Sequence, residues 1–208
     1  MTTPAWVVFG YHIASRLAYV LYVGLALRAQ ERREAFTARW GVEGGFRRFR
    51  RMAALVMYND AASFVVLCLV SADTLAARPS GWMAGAGIVL IVVGGGTKLW
   101  AALTLGGRAY YWYNFFAVPT SPPPPAGGPY RLLRNPMYTV GYLPSYGLAL
   151  AVASLPGLVA SAFDHAAILA FYYVVEQPHF AELTRPRPEP YDYPASGAKR
   201  ERAHKEGQ

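Results

Sequence analysis

Cysteine is almost missing. Cys68 is the single one in 208 residues, so no disulfide forms within the chain. Its place in an apolar run marks a small core residue rather than a nucleophile. Charge is scarce too: 15% of residues are charged, against about 25% in soluble domains. That shortage excludes a water-soluble fold with a charged skin, and the length leaves no room for a second sizeable domain. The N-terminus lacks the basic n-region and small-residue cleavage site of a signal peptide, so the first apolar run is expected to be retained. No internal repeat occurs. His165 has no second histidine, cysteine or carboxylate at ligand spacing, so no metal is expected.

What the chain does have is apolar length. Runs at 5–27, 52–71, 82–105, 136–155 and 157–175 come close to or reach the roughly 20 residues that cross a bilayer. Ser154-Leu155-Pro156-Gly157 joins the last two as a tight turn, which implies an antiparallel helical hairpin. The predicted fold is all-α: a polytopic membrane protein with about five transmembrane helices in one domain over 1–185. A polar, proline-rich tail over 186–208 is expected to be disordered. Four prolines in Ser121-Pro122-Pro123-Pro124-Pro125-Ala126-Gly127-Gly128 read as a stiff surface spacer.

A formal charge of +8 raises the possibility of nucleic acid, but its placement argues for a bilayer. Eight arginines lie between Arg28 and Arg51, three more are Arg108, Arg131 and Arg134, and six basic residues sit in the tail; only Arg78 falls on the other side. The positive-inside rule puts the heavy side in the cytoplasm, with the N-terminus outside and the C-terminus inside. The basicity then records topology and contact with anionic lipid, not nucleic-acid binding.

Ionisable residues inside spans are few and usually paired or functional. Here they are Arg16, Asp60, Lys98, Asp164 and His165. Counting about 1.5 Å per residue from the predicted cytoplasmic ends, Asp60 and Lys98 share a depth, and so do Arg16 and Asp164 slightly deeper. Two readings stand: a polar cavity opening to the cytoplasm, or ion pairs Asp60–Lys98 and Arg16–Asp164 that only orient helices. His165 reads as a satisfied packing histidine. Gly94-Gly95-Gly96 allows close approach of a helix or a ligand. Tyr110-Tyr111-Trp112-Tyr113 suits a membrane interface.

The chain turns on Gly128-Pro129-Tyr130-Arg131-Leu132-Leu133-Arg134-Asn135-Pro136-Met137-Tyr138. It is a basic, rigid turn opening an apolar run. A residue before proline avoids helical dihedrals and proline suits a first helical position, so a helix is predicted from Pro136 with Asn135 as its cap. Glu176 falls where the fifth run leaves the membrane, on the same side; two readings stand, a carboxylate facing Arg131 or Arg134 and a solvated interfacial acid.

Together these residues resemble the G-x-Y-x-x-x-R-H-P-x-Y signature of the membrane methyltransferases, the group of isoprenylcysteine carboxyl methyltransferases and phospholipid methyltransferases. Asn-Pro-Met-Tyr, with Glu-x-Pro-x-x-Ala-Glu from Glu176, is similar to the phosphatidylethanolamine N-methyltransferases. The stretch from Leu105 to Val118 resembles the segment those enzymes carry after their third helix. The resemblance covers 88–183. It implies S-adenosylmethionine as methyl donor, in a pocket at the cytoplasmic face. It carries cofactor contacts to Tyr130, Asn135, Pro136, Met137, Tyr138, Glu176 and Gln177, and to Gly94, Gly95 and Gly96 as the nearest match to a helix-three G-x-G. The family's His is Asn135 here, its Glu-Glu pair is Glu176-Gln177, and Tyr172 stands where the carboxyl methyltransferases have arginine. The implied catalytic set is Glu176, as proton acceptor or donor clamp, with Arg131 and Arg134 gripping the donor carboxylate or a lipid phosphate. The implied partners are the bilayer and a membrane lipid amine of the phosphatidylethanolamine type, in a bacterial inner membrane or endoplasmic reticulum. The rivals are another acceptor (an isoprenylcysteine carboxylate or a small thiol) and a non-catalytic membrane protein.

Overall fold

The computed structural model describes residues 3–75, 81–117 and 127–183. Residues 121–126 of the proline spacer and the tail 186–208 lie outside them. All regular structure among the described residues is helical. α1 spans Thr3–Arg33, and its inward face carries His12, Arg16, Tyr19, Val23 and Leu27, spaced three or four apart as a helical stripe requires. Leu17, Leu21 and Leu25 point out. Gln30 is buried and ties the turn to the next helix: its Oε1 accepts from the backbone of Phe36 (3.0 Å) and Thr37 (3.2 Å).

α2 spans Thr37–Val70 and bends at Gly41, whose φ of 65° breaks the helix. α3 spans Gly81–Tyr110 and is broken at Gly106, φ 77°. These helices, with the stretch from Leu155 to Leu183, are the four among the described residues long and apolar enough to cross a membrane. The chain is an integral membrane protein, and its outward Leu55, Val92, Leu99 and Leu103 face lipid.

The run at 136–155 differs from expectation. Residues 135–139 form turns, Val140–Tyr142 a 3₁₀ turn, and regular helix α4 covers only Leu143–Ala151, roughly 14 Å of rise. Asn135 does cap, accepting at Oδ1 from the Tyr138 amide at 3.2 Å, but what it closes is a turn. Proline at 136 and 144 and a Thr139 ψ of −95° keep the backbone from settling into a helix earlier. The expected hairpin is present. Ser154 caps α5 (Leu155–Phe171) by accepting from the Gly157 amide at 2.9 Å, and its hydroxyl lies 2.7 Å from that of Ser71 at the end of α2.

α4 lies tightly against α3 because glycine faces glycine. A Cβ on Gly87 would come within 2.5 Å of the Gly147 carbonyl, and one on Gly147 within 2.6 Å of the Gly87 carbonyl. Gly87→Leu is therefore expected to cost about 1–3 kcal/mol by overpacking. Gly95→Leu, whose Cβ would meet nothing within 4 Å, is expected to be near neutral. Thermal unfolding of both variants in one detergent checks the contrast.

α5 does not end as an α-helix. Tyr172–Glu176 is one π turn, followed by α6 (Gln177–Leu183). The wider turn buries two consecutive residues, Val175 and Glu176. Arg28 donates to the Val174 carbonyl at 3.1 Å, so the arginine-rich end of α1 and the π turn share one end of the bundle.

Candidate active site

At that end an aromatic cluster fixes Trp112. Its ring meets Phe49 (6.2 Å) and Phe171 (5.6 Å) edge to face, and Phe46, Phe115 and Phe116 are buried beside it. Trp112 has φ 58°, ψ 36°, a left-handed conformation that a bulky residue holds only when its surroundings impose it. The result aims its indole N–H at Glu176. Tyr138 donates to the same oxygen, Oε1, at 2.6 Å. One buried carboxylate thus joins the end of α3, the Asn-Pro turn and the π turn.

Tyr130 is close enough to interact with Glu176; burial, with that charge second, pushes its phenol up to about 12, so it stays a donor at neutral pH. Pro136 is fully buried and Met137 and Gln177 partly so. Two more polar atoms line the same segments: Asn114 Oδ1 and His179 Nε2 are buried without a hydrogen bond. His179 stacks on Phe115 at 3.6 Å and pairs through Nδ1 with Glu31 at 2.7 Å.

The other predicted site residues are arranged differently. Arg131 and Arg134 are exposed and neither pairs with Glu176, whose two bonded partners are aromatic. Depth along the chain places residues at one level but says nothing of which way a side chain on an irregular turn points. Gly94 is spent on packing, since a Cβ there would meet the Val140 carbonyl at 2.8 Å and Leu143 at 2.9 Å. Gly95 and Gly96 have open space.

Deeper in the bundle the intramembrane charges meet. Arg16 binds Asp60 Oδ2 at 2.6 Å and Asp164 at 2.9 Å, and donates to the Tyr142 hydroxyl at 3.0 Å. The expected Arg16–Asp164 pair forms; the expected Asp60–Lys98 pair does not, because Arg16 takes Asp60. His12, absent from the sequence reading, completes the network at 2.8 Å from Ser63 and 3.1 Å from Asp164. It lies four residues before Arg16, hence on the same helical face. His12, Asp60 and Asp164 bring ligand-type atoms within 4.8 Å of one another, but the cation between the carboxylates is Arg16. His165 is satisfied: Nε2 lies 2.8 Å from the Tyr138 carbonyl and the ring stacks on Tyr142 at 5.1 Å.

Arg16, Asp60, Lys98, Tyr142 and Asp164 line a cavity of about 570 Å³. Tyr19 lies in its wall, within electrostatic reach of Arg16, Tyr142 and Glu176.

Comparisons with known proteins identify the family. A family model described as phospholipid methyltransferase matches residues 82–185, which include Trp112, Tyr138 and Glu176. A phosphatidylethanolamine N-methyltransferase of Aspergillus niger is 32% identical over 145 residues, 67% of this chain and 13% of that protein. One of Chaetomium globosum is 30% identical over 148 residues, 67% of this chain and 15% of that protein. One of Pyrenophora tritici-repentis reaches 43% over 61 residues, 29% of this chain and 7% of that protein. The chain therefore spans only a small part of the length of these relatives. No solved structure matches. With half of its residues, the Asn-Pro turn and the buried glutamate all inside the matched region, this chain belongs to the phospholipid methyltransferase family.

Proposed function

We propose that the chain is an S-adenosylmethionine-dependent methyltransferase acting on a membrane lipid amine, a headgroup of the phosphatidylethanolamine type. The observation that carries this is the convergence of Trp112 and Tyr138 on Glu176, one carboxylate buried at the membrane face. The donor offers an ammonium, ribose hydroxyls and an adenine amine, and the residues fit it: Glu176 and Asn114 Oδ1 accept, His179 and Tyr130 present polar edges, and Trp112 and Tyr138 give aromatic walls. Bound there, it supplies a methyl already activated on a sulfonium.

The protein's share is then positioning. Glu176 clamps a donor amine or ribose. Tyr138 and Trp112 aim the carboxylate. Asn135 holds the turn that carries Tyr138 and, lacking a titrating proton, serves as no base. Arg131 and Arg134, exposed beside that turn, meet the donor's carboxylate. Tyr172 in place of an arginine removes the cation that a carboxylate acceptor would need, which favours an amine. The arginine-rich end shared with Glu176 supports a cytoplasmic reading of this face.

Purified protein titrated with S-adenosylmethionine by calorimetry is expected to bind one equivalent. Expression in a host lacking phosphatidylcholine is expected to yield N-methylated phosphatidylethanolamines by lipid mass spectrometry. An unchanged lipid profile with intact donor binding would move the activity to another acceptor; no donor binding would remove it.

A further inference from the structure

The cavity holds more charge than helix pairing needs. Asp60 uses Oδ2 on Arg16, while its Oδ1 is buried without a hydrogen bond. Lys98, in the same wall, lies over the Tyr142 ring at 5.4 Å and has no carboxylate at contact distance among the described residues. Asp60 and Asp164 share the one guanidinium of Arg16, and Lys98 lines the same wall. A buried acceptor without a hydrogen bond and an ammonium with no carboxylate in contact are costly in a lipid-bounded space unless something bridges them. A molecule with an ammonium at one end and a phosphodiester at the other has the matching charge pattern.

The cavity also has a side opening. Ala61, Val65 and Tyr58 line it from α2 and are exposed, and α2 scarcely touches α3, which brings Lys98. Tyr58, Tyr110 and Tyr142 add aromatic faces suited to an alkylammonium. We propose that a zwitterionic alkylammonium phosphodiester, the headgroup of a diacyl lipid arriving sideways between α2 and α3, occupies this cavity with its phosphodiester on Lys98 and its ammonium on Asp60 Oδ1. This rests on the lipid-amine reading above and assigns its acceptor site. The phosphate falls to Lys98, leaving Arg131 and Arg134 to the donor.

The test is binding to purified protein in phosphatidylglycerol nanodiscs, read by native mass spectrometry, using short-chain diacyl phosphatidylethanolamine and chain-free glycerophosphoethanolamine. Lys98→Met and Asp60→Asn are each expected to weaken the diacyl lipid about tenfold or more, the worth of a hydrogen bond to a charged group. Donor affinity is expected to stay at the wild-type value, and Lys98→Arg to restore lipid binding. Ala61→Trp, an exposed change that leaves the polar groups intact, is expected to raise the acceptor KM by closing the opening. Wild-type lipid affinity in both Lys98→Met and Asp60→Asn overturns the site, and so does a matching loss of donor binding. Glycerophosphoethanolamine binding as tightly as the diacyl lipid overturns lateral access. If the lipid binds here and no methyl is transferred, the activity reading fails and this site stands. If methyl transfer proceeds in Lys98→Met with an unchanged acceptor KM, the site fails and the activity stands.

Discussion

Glu176→Gln is expected to weaken S-adenosylmethionine binding about 10- to 100-fold and to lower turnover with it, while the protein stays folded. Glutamine matches the shape, and its carbonyl oxygen still accepts from Tyr138 and Trp112. What goes is the charge. A hydrogen bond to a charged partner is worth about 1.5–3 kcal/mol, and every 1.4 kcal/mol is tenfold in affinity. Glu176 is only 7% exposed, so neutralising it relieves desolvation, and the unfolding temperature is expected to hold or rise. Tyr138→Phe removes one of the two donors and leaves Trp112, so its effect is expected to be smaller. Calorimetric titration beside a thermal scan separates the outcomes. Wild-type donor affinity in Glu176→Gln would strip the carboxylate of its role.

Why Glu176 was legible and its partners were not is a matter of range. Its depth follows from counting residues along an apolar run, and so does the depth of Arg16, Asp60 and Asp164. Which way each side chain points depends on backbone details that no local pattern encodes. The π turn at Tyr172–Glu176 turns Val175 and Glu176 inward together, which a regular 3.6-residue period does not do. Trp112 reads in sequence as one more interfacial aromatic; only its left-handed backbone and the rings of Phe49 and Phe171 aim it at a carboxylate. Asp60 and Lys98 share a depth, yet Arg16 reaches Asp60 first, and an azimuth is what separates those two pairings. The short α4 was hidden similarly: hydropathy sees an apolar run, while two prolines and the Thr139 backbone decide where a helix begins.

Arg16→Met is expected to be the most destabilising single change in the bundle, at about 3–5 kcal/mol, the cost of stripping the partner from a buried pair. Arg16 is 6% exposed and stands between Asp60 and Asp164, which are 3% and 2% exposed. Without it, two carboxylates face each other in the membrane layer, and one must take up a proton or draw in water. Methionine fills the volume, so the loss is electrostatic rather than a cavity effect. The triple variant Arg16→Met, Asp60→Asn, Asp164→Asn removes all three charges together and is expected to recover most of the stability, since a neutral cluster of similar shape owes no desolvation. Reversible unfolding in mixed micelles, followed by circular dichroism, measures both. If Arg16→Met unfolds like the wild type, the triad is no structural pin. If the triple variant is as weak as the single one, the helices are held by the specific geometry of Arg16 and not by cancellation of charge. Recovery of fold in the triple variant, with lipid binding still lost, would show that the charges persist in this membrane interior for what they hold.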